Sequence, residues 1–253
     1  MNHIFIQARI GSKRLPGKVL KKICGKSIIE LIVERVSKVE HIDKIVIVTG
    51  PKEKNELLIN EIKKLDVNYF CGSEENVLDR FYKASLEFKS DNIIRVTADC
   101  PLIDFNVINK GFSIFKQNNY DILSNNRIRT YPHGLEFEIF QSDALKIARN
   151  DNFSLYKNYE EFYDIFIPPT KYMLEKKKFR NFDLLNDINI SHIRVTLDYI
   201  EDLELITKIY DMLYNKNLYF GLDEIVSLLE NNPSLQKINQ KYAKFDSSLR
   251  IEK

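Results

Sequence analysis

Apolar runs rich in β-branched residues at 4–8, 44–49, 67–70 and 93–97 alternate with stretches of helical spacing at 28–38, 53–65 and 77–88. Strand and helix periods that alternate in this way specify an α/β fold, a largely parallel sheet with helices on both faces. Ligands of such sheets gather beyond the carboxyl ends of the strands. The segment after the first strand and the segment after the strand at 93–97 therefore fall on one edge. Further on, a helix is expected near 105–116 and a strand near 120–124. An alternating run follows at 135–140, then a strand at 192–197 and helices near 201–214 and 222–231 before a polar tail. No internal repeat or flexible linker divides the chain. With 253 residues and 44% hydrophobic content it suits one large α/β domain, or one domain with a small appendage.

The segment after the first strand, Arg9-Ile10-Gly11-Ser12-Lys13-Arg14-Leu15-Pro16-Gly17-Lys18, sets two glycines among four cations. Glycine lets main-chain N–H groups approach phosphate oxygens, and Arg9, Arg14 and Lys18 supply positive charge, so the loop reads as a cradle for polyphosphate. Read from its charges alone, it is equally a basic surface loop. It lacks the spacing of the dinucleotide fingerprint. It is not a Walker loop either, because Lys18 is followed by Val19 and offers no hydroxyl to magnesium. Any metal ligands come from elsewhere in the chain.

Charge and cysteine content narrow the classes. The 38 basic and 36 acidic residues leave a net charge of +2, which gives no global field for nucleic acid or an anionic membrane. Cys24, Cys71 and Cys100 are too few and too scattered for a disulfide framework or a zinc pattern. No run reaches the length of a membrane span, and the first residues read as a core strand. The expectation is a soluble, unprocessed, cytoplasmic protein with reduced thiols.

Ala8-Arg9, Ser12, Arg14-Leu15-Pro16-Gly17-Lys18 and Leu20 together resemble the N-terminal signature of the cytidylyltransferase family that includes the CMP-Kdo and CMP-sialic acid synthetases, most closely its spore coat polysaccharide biosynthesis protein F branch. The resemblance implies a Rossmann-like three-layer α/β/α nucleotidyltransferase (GT-A-like) fold with a mostly parallel mixed sheet. It also implies CTP as substrate and Mg2+ as cofactor. Ala8, Arg9, Arg14 and Lys18 with the Gly11-Ser12 backbone would bind the triphosphate. Thr97-Ala98-Asp99-Cys100-Pro101 resembles the family's first metal motif, with alanine in place of the usual glycine, and Val195-Thr196-Leu197-Asp198 resembles the second. Asp99 and Asp198 would thus hold magnesium, which prefers one or two carboxylates and completes its shell with water and phosphate. On residue type alone each is a helix cap or turn residue, and Asp202 competes with Asp198 for the opening of the following helix. Tyr199 and Ile200 stand where the family usually has threonine and proline.

Gly72, Ser73 and Arg80 lie in a stretch that resembles the family's nucleoside-holding segment, with Thr97 as a further nucleotide contact. The same stretch reads as an ordinary helix start capped by Ser73. The turn Tyr131-Pro132-His133-Gly134 and the strand carrying Glu136 and Glu138 match a branch motif, with His133 and Glu136 where aspartates are common, which implies acceptor binding by His133, Gly134, Glu136 and Glu138. An Arg-Glu-His group common in the branch is missing near Tyr159–Tyr163. Between about 152 and 182 the chain is rich in aromatics, which serve a core, a lid or a subunit interface alike. A homodimer built on this block is expected. Two rivals read the chain as a glycosyltransferase of the same fold or as a non-catalytic homologue. The separated aspartates, without a compact Asp-x-Asp, argue against the first, and the complete set of phosphate and metal residues argues against the second.

Overall fold

The structure is a computed structural model that describes residues 1–243. The last residues of the polar tail, 244–253, lie outside the described residues. Strands β1 (Asn2–Gln7), β4 (Lys44–Thr49), β5 (Asn68–Cys71), β6 (Asn92–Thr97), β7 (Ile122–Ser124), β8 (Phe137–Gln141) and β9 (Asn181–Asp183) form a seven-stranded sheet in the order β5-β4-β1-β6-β8-β7-β9. A short ribbon of β2 (Lys22–Ile23) and β3 (Lys26–Ser27) leads into α1 (Ile28–Val36). Only β8 runs against the rest of the main sheet, pairing antiparallel with both β6 and β7. That reversal needs no crossover helix. It also carries the amino end of β8, where Glu136 sits, to the edge at which β1 and β6 end.

Alternate residues of the central strands feed two cores, as strand periodicity requires. Ile4, Ile6, Ile94 and Val96 pack under α1, α4 (Phe105–Asn118) and α8 (Ile200–Leu213). Phe5, Val46, Val48 and Ile93 pack under α3 (Val77–Phe88) and α5 (Ser142–Phe153) on the other face. The result is the three-layer α/β/α arrangement, with α2 (Glu56–Ile62) and α9 (Leu222–Asn231) on the first face.

The helix α5 has no counterpart in the sequence reading. Its buried stripe is only Ala144, Leu145 and Ala148, too small to mark an apolar face. The extended run 192–197 is not a strand. It touches its neighbour through a single parallel bridge, His133 to Arg194, because the chain on the other side turns at Gly134 instead of running alongside. The aromatic block joins the second core: Phe162 is 0% exposed and packs with Met173 and Phe179 in the same cluster as Phe5. Phe162 is therefore not available to a partner subunit, whereas Leu155, Ile165 and Phe166 are exposed. No helix among the described residues is long and apolar enough to cross a membrane.

Candidate functional site

Because β1 and β6 are parallel neighbours, the loops that follow them meet at one edge. The first loop is held by its own main chain and by one buried side chain. Ser12 and Gly17 donate to the Ile10 carbonyl, and Ile10 N–H donates to Asn55 Oδ1 at 3.0 Å. Gly17, at φ +64°, makes the left-handed step that starts the single 3-10 turn from Lys18. That turn aims the Lys18 ammonium inward, where it donates to the Leu197 carbonyl at 2.6 Å and to Asp198 Oδ1 at 3.0 Å, and lies 3.8 Å from Asp99 Oδ2. Arg14 closes on the other oxygen of Asp198 at 2.7 Å. Its guanidinium lies 5.1 Å from the centroid of the Tyr199 ring, which is itself stacked on Tyr242. Tyrosine at position 199 thus supplies a platform for Arg14.

Asp99 sits in the turn after β6, and the cap of the next helix is Asp104, which accepts from Asn106 N–H at 2.7 Å. Asp99 is therefore not spent on capping. Thr97 Oγ1 donates to its carboxylate, and its main-chain carbonyl accepts from Leu197 N–H at 2.8 Å and Thr196 Oγ1 at 3.0 Å. These bonds fasten the two aspartate segments together. Asp202 takes the capping role that competed for Asp198. Fully buried, it accepts from the N–H groups of Asp198 and Tyr199, from Arg194 at 2.7 and 3.0 Å, and from Asn239 at 2.8 Å. Asp198 is left facing the cleft. Burial alone would raise its carboxyl, but Lys18 and Arg14 outweigh that and hold it below the usual carboxylate range.

The cleft has a volume of about 470 Å³ and is lined by Ala8, Arg9, Ser12, Arg14, Lys18, Thr97, Asp99 and Asp198, together with Arg80. Gly11, Gly72 and Ser73 are not among the residues that line it. A Cβ on Gly72 would come 2.8 Å from Arg80 Cγ, so glycine there lets the arginine lie flat. Ser73 accepts from Asn76 N–H, and Asn76, not Ser73, caps α3. The Arg80 guanidinium is buried and donates to the Ser73 carbonyl at 2.8 Å; burial brings it down to about 10, still cationic at neutral pH. Arg9 pairs with Glu74 at 2.9 Å, joining the loop after β1 to this segment.

In the segment from Tyr131 to Glu138, Gly134 adopts φ +112°, and a Cβ there would lie 2.4 Å from Thr196 N. Only glycine lets the 131–134 turn cross the Asp198 segment so closely. Glu136 accepts from Gly134 N–H at 2.7 Å, pairs with Arg129 at 2.6 Å and lies 3.8 Å from His133 Nε2. Glu138 is 3% exposed and pairs with Arg95 at 2.6 Å, so its charge reaches the cleft only through Arg95, a lining residue. The sequence reading gave no role to Arg95, Arg129, Arg194 or Asn239. Arg95 and Arg194 were detectable as cations inside apolar runs, whereas nothing local marks Asn239. Among the described residues no three His, Cys, Asp or Glu side chains gather as a metal cluster. Asp99 and Asp198 nevertheless share one cation, the Lys18 ammonium, and so form a pair that fits a magnesium ion.

A cytidylyltransferase family model matches residues 3–238. The chain belongs to the cytidylyltransferase family. The spore coat polysaccharide biosynthesis protein SpsF of Bacillus subtilis is 31% identical over 247 residues, covering 92% of this chain and 96% of the relative. An uncharacterised protein of Methanocaldococcus jannaschii is 35% identical over 240 residues, covering 92% of each. The solved structure of a cytidylyltransferase from Leptospira borgpetersenii superposes with a TM-score of 0.81 at 27% identity, covering 92% of this chain and 95% of that one. The chain is thus a nucleotidyltransferase by family, with the family's α/β architecture.

Proposed function

We propose that this cytidylyltransferase transfers CMP from CTP to a sugar, sugar acid or phosphorylated small acceptor in a magnesium-dependent reaction that releases pyrophosphate. The observation that carries the reading is the meeting of Arg14 and Lys18 with Asp99 and Asp198 in one cleft, two cations and two carboxylates from three separate segments. Such a set suits in-line attack on an α-phosphorus, where catalysis is mostly positioning and charge neutralisation. Arg9, Arg14 and Lys18 bind the triphosphate, with the Gly11-Ser12 main chain beside them. Asp99 and Asp198 would hold magnesium, which when bound neutralises phosphate charge as pyrophosphate leaves. The acceptor oxygen forms the new bond to the α-phosphorus while the bond to the bridging oxygen breaks, and pyrophosphate departs with the electron pair.

Gly72, Ser73, Arg80 and Thr97 frame the nucleoside, while His133, Gly134, Glu136 and Glu138 frame the acceptor, Glu138 by positioning Arg95. Arg194 already donates to His133 Nδ1 at 3.2 Å, which favours an acceptor whose attacking oxygen arrives ionised. SpsF, a relative named for spore coat polysaccharide biosynthesis, supports a place in surface glycan assembly. A homodimer working in the cytoplasm completes the reading, and the free cysteines fit a reducing compartment. The test is a screen of the four ribonucleoside triphosphates for magnesium-dependent pyrophosphate release against sugar acids and phosphorylated small molecules. CTP should lead. Release that needs no acceptor, or equal use of all four nucleotides, would sink the proposal.

A further inference from the structure

Phe166 is 65% exposed, yet it lines the cleft beside Glu74, Val77 and Arg80. A lone exposed apolar side chain normally needs no explanation. This one is held in place from both sides. The carbonyls of Phe162 and Tyr163 accept from Asn76 Nδ2 at 2.5 Å and Ser73 Oγ at 2.7 Å. On its other side, Ile167 is buried, bridges in parallel to Asn76 and accepts from Leu78 N–H at 3.0 Å. The main chain that carries Phe166 is therefore anchored to the segment that begins α3 and is not a free loop.

The cleft lining falls into two chemical sets. Arg14, Lys18, Asp99 and Asp198 are an ionic set. Phe166, Val77 and the buried guanidinium of Arg80, with the Arg9–Glu74 pair, are the second. A planar heterocycle matches that second set, since its face stacks on a ring and its edge takes hydrogen bonds. We infer that Phe166 stacks on the base of the bound nucleotide, so the segment after α6 (Tyr159–Tyr163) is a wall of the nucleotide site. This rests on the nucleotide-binding reading above. Every base has a π-face, so Phe166 supplies affinity and leaves the choice of base to groups at the edge.

Calorimetry with CTP, UTP and inorganic tripolyphosphate tests the inference. Phe166→Ala should weaken both nucleotides by roughly 5- to 150-fold, as loss of one stacking contact does, and leave tripolyphosphate unchanged. The chain has no tryptophan, so Phe166→Trp adds a single tryptophan whose emission can be read apart from the tyrosines. CTP should quench it, and tripolyphosphate should not. Wild-type CTP affinity in Phe166→Ala, or equal losses for CTP and tripolyphosphate, overturns the stacking role while nucleotide binding stands. Failure of the wild type to bind CTP overturns the nucleotide reading itself.

Discussion

Lys18 stands between carboxylates from two segments, 3.0 Å from Asp198 and 3.8 Å from Asp99, and Arg14 holds the far oxygen of Asp198. On the proposed reading, the triphosphate would take these two cations and magnesium the two carboxylates that they now pair with. Lys18→Ala should cost about 1.5–3 kcal/mol of charge-assisted binding, read as a roughly 10- to 150-fold loss in kcat/KM by the folded variant. Unchanged kinetics would remove the loop from the site. Asp99→Asn and Asp198→Asn should each abolish turnover, with little further loss in the double variant because the two act as a unit. Asp198 also leaves a signature on stability. Its folded carboxyl lies below the unfolded value of about 3.9, so its contribution is fully present above that pH and disappears as pH falls through the folded value. Urea midpoints measured from pH 6 down to 3 should show this acid loss in the wild type and less of it in Asp198→Asn.

At the scale of elements, what the sequence reveals depends on whether the signal is local. The strands β1, β4 and β6 and the helices α1 and α3 carry long apolar periods and are legible within two or three residues. The loop after β1 and the two aspartate segments stand out only through their resemblance to the family's motifs; residue type alone leaves them a basic loop and two cap or turn residues. The helix α5 is not legible, since alanines line its buried stripe. Nor is the network around Asp202, because a carboxylate in a first helical turn looks like any macrodipole partner until Arg194 and Asn239 are folded onto it. The crossing at Gly134 is of the same kind: its sequence says turn, and only the tertiary structure shows main chain within 2.4 Å of a would-be Cβ. Gly134→Ala should force apart the 131–134 turn and the 195–198 segment, costing about 1–3 kcal/mol of stability. Activity should fall further than stability does, because Asp198 moves with that segment. Thermal unfolding beside kcat at saturating CTP checks this, and a variant that melts lower while keeping full kcat would separate the crossing from the catalytic pair.

For the whole molecule, the open question is how the aromatic block divides between the core and a partner. Phe162 packs against Phe153 and Tyr156 and shares its cluster with Phe5, Val46 and Val48 of the central strands, so the block folds with the sheet and is no appendage. Phe162→Ala should therefore cost about 3–5 kcal/mol and lower a single unfolding transition of the whole chain. A separate early transition would instead mark the block as its own unit. Leu155 and Ile165, 75% and 39% exposed, remain for a subunit contact now that Phe166 is assigned to the cleft. The homodimer proposed above would cover such exposed apolar side chains. Leu155→Asp should accordingly shift a homodimer to monomer in equilibrium sedimentation while leaving the melting of the isolated chain unchanged, because no core contact is lost. If the wild type is already monomeric at high micromolar concentration, Leu155 and Ile165 are ordinary surface residues, and the catalytic unit is the single chain.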